Sequence, residues 1–207
     1  MSDVQREYRL KRPVDFFLGV LAVFLSLPLW GLCAYAVLAE DGRPVFYGQY
    51  RIGRAGRRFR VFKFRSMIKN AEALTGPVFA QENDSRLTKT GQVMRATALD
   101  ELPQILSILK GDMSFVGPRP ERPEFVATFA AEVRNYMMRH AVRPGLTGVA
   151  QIFGQYDTPP RHKLRYDLFY IRRQSLLFDL VLITISLYLS ICGKWRFRRR
   201  KFPRRYR

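Results

Sequence analysis

Residues 16–39 read FFLGVLAVFLSLPLWGLCAYAVLA, 24 residues without a charge. A helix over this stretch would be about 36 Å long, enough to traverse a hydrocarbon core of about 30 Å. It is too long for the apolar part of a secretory signal, and no small-residue cleavage site follows. Pro28, near its middle, removes a backbone hydrogen bond, and Ser26 stands two residues earlier, where its hydroxyl can take up a freed carbonyl. Arg6, Arg9, Lys11 and Arg12 precede the stretch and Arg43, Arg51 and Arg54 follow it, so the flanking charges set no orientation. Two placements satisfy this pattern. One is a spanning helix; the other is a helix bent at Ser26 and Pro28 that enters and leaves by the same face.

Outward from this segment the chain is strongly basic. Its 207 residues carry 36 Lys and Arg against 17 Asp and Glu, a formal charge of +19. That excess points to a polyanionic partner: nucleic acid, an anionic membrane surface or a phosphorylated substrate. With 47% hydrophobic residues a packed core is feasible, and the length suits one ordinary domain with appended membrane elements. Cys33 and Cys192 each sit in an apolar run, without the spacing of a metal knuckle or a redox pair, and are read as small apolar residues.

Residues 44–67, PVFYGQYRIGRAGRRFRVFKFRSM, alternate in the β manner, with Gly53 to Gly56 supplying a turn. The pattern predicts a hairpin with interleaved aromatic and basic side chains. Residues 68–83 read as helical and then loop-like, broken at Gly76-Pro77. From Gln92 to Leu109 the pattern is helical, interrupted by Pro103 and ended by Gly111. Pro118, Pro120 and Pro123 predict a fixed, extended loop, followed by a helix from about Glu124 to His140 and the turn-rich Arg143-Pro-Gly-Leu-Thr-Gly148. A second apolar stretch, Leu176 to Cys192, carries Asp179 near its start, which favours an interfacial amphipathic helix over a buried span. Nine of the 14 residues after Gly193 are Lys or Arg, a tail suited to anionic lipid. The expected fold is α+β, mainly helical with a small β-hairpin, divided as residues 1–40 (membrane segment), 41–193 (catalytic unit) and 194–207 (polybasic tail).

Arg95-Ala-Thr-Ala-Leu-Asp-Glu-Leu-Pro-Gln104 is the segment most able to carry chemistry. Two adjacent carboxylates, Asp100 and Glu101, open a helix whose Pro103 sits where a first-turn proline is tolerated. Unpaired N–H groups at such an end favour a carboxylate or a phosphate. Alone, two such acids read as a solvated first turn. Lys63, Arg65, Arg95 and Arg119, in segments flanked by turns or apolar runs, make them a candidate phosphate site. A carboxylate that attacks a phosphate needs basic side chains and a divalent cation to offset repulsion. Oxygen ligands of this kind suit Mg²⁺, held through Asp100 and Glu101.

The ordered motifs resemble those of the bacterial sugar transferases, the monotopic polyprenyl-phosphate phosphoglycosyl transferases of glycan and exopolysaccharide assembly. They are Lys11-Arg-Pro-Val-Asp15, Pro44-Val-Phe46 with Gln49 and Arg51-Ile-Gly53, Lys63-Phe-Arg-Ser-Met67, Asp100-Glu-Leu-Pro-Gln104, Gly111-Asp-Met-Ser-Phe-Val-Gly-Pro-Arg-Pro-Glu121 and Arg143-Pro-Gly-Leu-Thr-Gly148. Asp167-Leu-Phe-Tyr-Ile171 and Ser175-Leu-Leu-Phe-Asp179 continue the match. The resemblance implies a re-entrant membrane helix that turns back at Ser26 and Pro28. It implies Asp100 as nucleophile on the β-phosphate of a UDP-sugar, UMP release, and transfer of the phosphosugar to undecaprenyl or another polyprenyl phosphate. Glu101 would assist through Mg²⁺ and by handling protons. Lys63, Arg95 and Arg119 would bind phosphates, with Arg143 supporting the same region. The chain would sit on the inner membrane facing the cytoplasm, as a small family member or a catalytic part of a larger one.

The chain departs from the family pattern in Ser26-Leu27-Pro28, where Ser directly before Pro is common, in Ser66 for threonine, and in Gln155 where arginine is usual. A non-catalytic nucleic-acid-binding or lipid-surface protein would use the charge alone, but the hairpin carries no nucleic-acid motif and the apolar run would be unexplained. A metal-dependent phosphohydrolase, with Asp100 and Glu101 activating water, would release sugar phosphate without a lipid acceptor. No motif fixes the sugar or the oligomeric state.

Overall fold

In the computed structural model the described residues are 7–73, 76, 78, 84–154, 158–193 and 195. Helix α1, Lys11–Asp41, holds the apolar segment and stays helical through Pro28. It is long and apolar enough to cross a membrane by length and composition. Strands β1, Phe46–Ile52, and β2, Arg58–Phe64, form the expected antiparallel hairpin, with Tyr47 opposite Lys63 and Arg51 opposite Phe59. The turn between them is a short 3-10 segment, Arg54–Gly56. Helix α2, Lys89–Thr97, leads through a 3-10 segment, Leu99–Gln104, into α3, Ile105–Lys110, which ends at left-handed Gly111. Then come β3, Ser114–Val116; α4, Pro123–Glu132; a 3-10 segment, Tyr136–Ala141; β4, Gly145–Thr147; α5, Val149–Phe153; α6, Pro160–Arg173; and α7, Leu176–Ile191.

The fold is α+β and mainly helical, and it corrects four local readings. The helix expected over 92–109 breaks at Ala98, left-handed with φ 59°, before Pro103 is reached. The helix expected over 124–140 ends at Glu132, and left-handed Asn135 turns the chain into a 3-10 segment. Arg143–Gly148 is more than a turn, because β4 pairs in parallel with β3. Gly145 and Gly117 approach so closely that a Cβ on Gly145 would lie 2.0 Å from the Gly117 nitrogen. That crowding, unreadable from the motif, is why glycine stands there. Ile68–Ala73, expected to be helical, forms turns. The basic tail beyond Gly193 lies outside the described residues apart from Trp195, and so does Gln155.

One body holds both ends of α1. Near its start the buried Lys11 ammonium donates to Asp179 Oδ2 at 2.6 Å and to the Tyr170 hydroxyl at 2.9 Å. Tyr8 donates to the same Asp179 oxygen at 2.8 Å. Asp15 accepts from the Ser114 hydroxyl and the Phe115 N–H. Near its end Cys33 and Val37 share a core with Phe64 and Met94, while the Glu40 carboxylate accepts the Lys89 and Thr90 N–H groups at the start of α2. Between these anchors Phe17, Phe24, Leu25, Leu32 and Tyr35 are exposed. Ser26 accepts from Trp30 Nε1 at 3.0 Å, and its hydroxyl lies 3.4 Å from the carbonyl of Val23. By helix geometry Pro28 frees the carbonyl of Phe24, so Ser26 does not compensate it directly.

Asp179, read as a mark of an interfacial helix, is buried against Lys11, while Leu177, Leu187, Tyr188 and Ile191 of the same α7 stand exposed. Lys11→Met strands a carboxylate in a dry site and is expected to cost about 3–5 kcal/mol. Chemical unfolding in detergent measures it; the double variant Lys11→Met, Asp179→Leu is expected to recover most of the loss.

Candidate active site

The 3-10 segment after Ala98 decides where the two acids point. Residues three apart eclipse one another in this geometry, so Leu99 and Leu102 both pack onto the core of Cys33, Val37, Phe64 and Met94. Asp100 and Glu101, between them, line a cleft that Leu99 and Leu102 also border. The cleft holds about 2480 Å³, more than the few hundred to a thousand Å³ a single small ligand usually fills. Its walls differ in chemistry. One is polar and built from the hairpin and the 119–122 loop, with Tyr47, Gln49, Arg51, Lys63, Arg119 and Glu121. The other is apolar, from α1 and α7, with Leu21, Leu25, Leu29, Ile183, Leu187 and Ile191.

Glu101 is clamped by two cations. Lys63 Nζ donates to Oε1, and the Arg119 guanidinium donates to both oxygens, at 2.6 and 3.3 Å. Burial alone would raise the Glu101 pKa, but Arg119 and Lys63 overcome it and hold the carboxyl well below the usual range. Asp100 is buried with neither a hydrogen bond nor an ion pair to any described residue. Burial pushes it up to about 6, Lys63 and Arg95 pull against the rise, and the Glu101 charge adds to it. Burial likewise lowers the Lys63 ammonium, with Glu101 opposing. Two adjacent carboxyls therefore differ: one is held firmly as an anion by two cations, the other titrates well above the usual carboxylate range.

The sequence-derived cations divide. Lys63, Arg95 and Arg119 meet around the acids. Arg95 Nε donates to Ser66 Oγ at 2.9 Å, and α2 lies so close to Ser66 that a Cβ on Gly91 would come within 2.0 Å of its carbonyl oxygen. Arg65 borders the cleft, yet its Nη2 donates to the carbonyls of Asp41 and Gly42 and pairs with the Asp41 carboxylate, capping the end of α1. Arg143 is not among the lining residues; it is buried against Glu7 at 2.8 Å, with Asp15 at 3.7 Å. Its pairing with a residue 136 positions away in sequence left no local signal. The sequence motifs include Gln49 and Arg51 without a role for either, and Arg139 stands outside them. Alternation along β1 could have found the first two, since Tyr47, Gln49 and Arg51 share the hairpin face of Lys63.

Arg139 holds the loop of Arg119 in place. Fully buried, it pairs with Asp167 at 2.8 Å and donates to the Arg119 carbonyl at 3.0 Å. For a metal, the described residues contain no group of three or more His, Cys, Asp or Glu. An unpartnered Asp100 beside Glu101 fits instead a hydrated Mg²⁺ that takes one or two carboxylates and completes its shell with phosphate oxygens.

The family model described as bacterial sugar transferase matches residues 6–192. The chain belongs to the bacterial sugar transferase family. Among the relatives of this chain, the UDP-N-acetylgalactosamine-undecaprenyl-phosphate N-acetylgalactosaminephosphotransferase of Aeromonas hydrophila is 43% identical over 189 residues, covering 89% of this chain and 44% of that protein. The UDP-glucose:undecaprenyl-phosphate glucose-1-phosphate transferase of Escherichia coli is 38% identical, covering 89% and 41%. The exopolysaccharide production protein ExoY of Sinorhizobium fredii is 35% identical, covering 84% and 81%. The chain thus spans less than half the length of the first two relatives and about four fifths of the third.

Removing the Glu101 charge is expected to lower the Asp100 pKa below about 6, because Asp100 loses a repulsive neighbour and gains the freed charges of Lys63 and Arg119. Carboxyl NMR titration of the wild type and Glu101→Gln, with Asp100→Asn to assign the signal, measures the shift. An unchanged or raised midpoint contradicts this electrostatic arrangement.

Proposed function

We propose that this sugar transferase moves a sugar phosphate from a UDP-sugar to a polyprenyl phosphate, such as undecaprenyl phosphate, through a covalent intermediate on Asp100. The observation that carries the reading is the unpartnered Asp100 carboxyl beside a Glu101 neutralised by Lys63 and Arg119. With a pKa of about 6, Asp100 is mostly ionised at neutral pH yet poorly solvated, the state a carboxylate nucleophile needs. Asp100 Oδ attacks the β-phosphorus, the bond from that phosphorus to the bridging oxygen breaks, and UMP departs with the electron pair. A phosphate oxygen of the acceptor then attacks the same phosphorus, releasing the Asp100 carboxylate and forming the lipid diphosphate sugar.

Lys63 and Arg119 face the developing charge on the phosphoryl oxygens. Glu101, held ionised, fixes these two cations and is no proton donor at neutral pH. Mg²⁺ would be held by Asp100 with Glu101, and when bound supplies positive charge against the two phosphates. Relatives named for N-acetylgalactosamine, glucose and galactose support the donor class.

The two-walled cleft supports a site at the membrane surface, where an aqueous nucleotide sugar and a lipid phosphate meet. A re-entrant α1 is supported by its anchors. A spanning helix would carry Glu40 and Asp41 to the far side from Lys11, whereas all three are held on one body. The reading places the catalytic unit on the cytoplasmic leaflet of the inner membrane, in exopolysaccharide or glycan assembly, with the tail of residues 194–207 on anionic lipid.

The test is a panel of UDP-sugars offered with polyprenyl phosphate and Mg²⁺, reading UMP release and lipid-linked sugar. Release is expected for at least one donor and is expected to fall by about a thousandfold or more in Asp100→Asn. Silence across the panel, or normal transfer by Asp100→Asn, overturns the reading.

A further inference from the structure

The cations that line the cleft fall into two sets. Lys63 and Arg119 are neutralised by Glu101, Arg65 by Asp41, Arg86 by Asp84, Arg122 by Glu72, Arg139 by Asp167 and Lys163 by Glu121. Arg51, Arg95 and the exposed Lys69 lie within ion-pair distance of no carboxylate among the described residues, and of these only Arg51 and Arg95 are partly buried. Arg95 was marked in the sequence as a phosphate binder. Arg51 has no assigned task.

Neutral groups fix the Arg51 fork. Nη1 donates to the Pro120 carbonyl at 3.1 Å, and Nη2 donates to Gln49 Oε1. Gln49 is oriented in turn by the hydroxyl of Tyr47, to which its Nε2 donates at 3.2 Å. These bonds aim the guanidinium without cancelling its charge. Holding a guanidinium away from water without a hydrogen-bonded carboxylate is unfavourable; burial and the repulsion of Arg119 lower it to about 10, and the nearby Glu121 and Glu101 charges offset this only in part. An anion between Arg51 and Arg119 relieves both costs, and a phosphate matches the fork.

Arg51 and Arg95 are carried into the cleft by different elements. Arg51 sits on β1, which packs on β2 and α4, on the side lined by Tyr47, Arg122 and Phe125. Arg95 sits on α2, which packs on α1 and α7. A nucleotide is aqueous and an acceptor arrives along the apolar helices, so the two elements sort the two phosphates.

We propose that Arg51, aimed by Gln49 and the Pro120 carbonyl, binds the nucleoside-side phosphate of the donor, while Arg95 serves the acceptor phosphate; this rests on the reading of the cleft as a sugar-phosphate transferase site. When the bond between the two donor phosphates breaks, the electron pair settles on the nucleoside phosphate, and Arg51 meets that charge. Arg51 thereby contributes to departure of the leaving group as well as to binding.

The experiment titrates UDP and UMP into the full chain in detergent by calorimetry, for wild type, Arg51→Gln, Arg51→Lys and Arg95→Gln, and separately measures kcat/KM for donor and for polyprenyl phosphate. Arg51→Gln is expected to weaken UDP roughly ten- to a hundredfold, with Arg51→Lys between it and wild type. The kcat/KM for the acceptor is expected to fall in Arg95→Gln and to stay at the wild-type value in Arg51→Gln. Should Arg51→Gln fail to fold, Gln49→Ala, which frees the fork but leaves the charge, is expected to weaken UDP in the same direction. Wild-type UDP binding by Arg51→Gln, or a loss confined to the acceptor kcat/KM, overturns the inference. If the wild type transfers nothing from any donor yet binds UDP through Arg51, the transferase reading fails and the phosphate site stands.

Discussion

Two adjacent acids in a dry cleft cannot both carry charge unless cations hold one of them, and here Lys63 and Arg119 hold Glu101. Each cation comes from a different part of the fold. Lys63 stands on β2, opposite Tyr47. Arg119 belongs to the proline-rich loop, whose backbone is tied down by Arg139 and through it by Asp167 on α6. The clamp leaves Asp100 facing the cleft without a hydrogen-bond or ion-pair partner among the described residues. The hairpin, the 117–122 loop, the 3-10 turn at Tyr136–Ala141 and α6 all converge on keeping that difference between two neighbouring carboxyls.

The apolar side of the cleft depends on a second set of buried charges. Lys11 with Asp179 joins α1 to α7, and Arg65 with Asp41 joins the far end of α1 to the hairpin. Both pairs are shielded from water, so each has to be kept intact to avoid stranding a charge. Their effect is to fix an apolar helix pair beside the acids, giving the cleft one apolar and one polar wall. Under the proposed function, these two walls let substrates of opposite solubility reach one carboxylate.

Much of this was legible in the sequence, and the reasons differ by element. The hairpin was readable because alternation over 44–67 is strict and Gly53 and Gly56 mark its turn. Asp100 and Glu101 were readable through the company of Lys63, Arg95 and Arg119. The break at Ala98 was not, because alanine carries no signal for a left-handed backbone and only tertiary packing forces it there. The β3–β4 pairing was hidden by its shortness and by its long-range partners. Arg65 and Arg143 read as phosphate binders by their motifs, yet their partners, Asp41 and Glu7, lie where no local spacing reveals them. Arg51 stood in a family motif and among the charges flanking the apolar run, with no role attached; only the register of the hairpin shows that its face of β1 is that of Lys63.

The central claim is that Asp100 becomes covalently bonded to the phosphosugar, and intact-protein mass spectrometry tests it directly. The chain is incubated with a turned-over UDP-sugar and Mg²⁺ in the absence of any acceptor, then quenched in acid. The account requires a mass increase equal to one sugar phosphate, mapped to Asp100, absent in Asp100→Asn and discharged when polyprenyl phosphate is added. An unmodified protein under conditions where UMP is released in a burst, or the same adduct on Asp100→Asn, contradicts it.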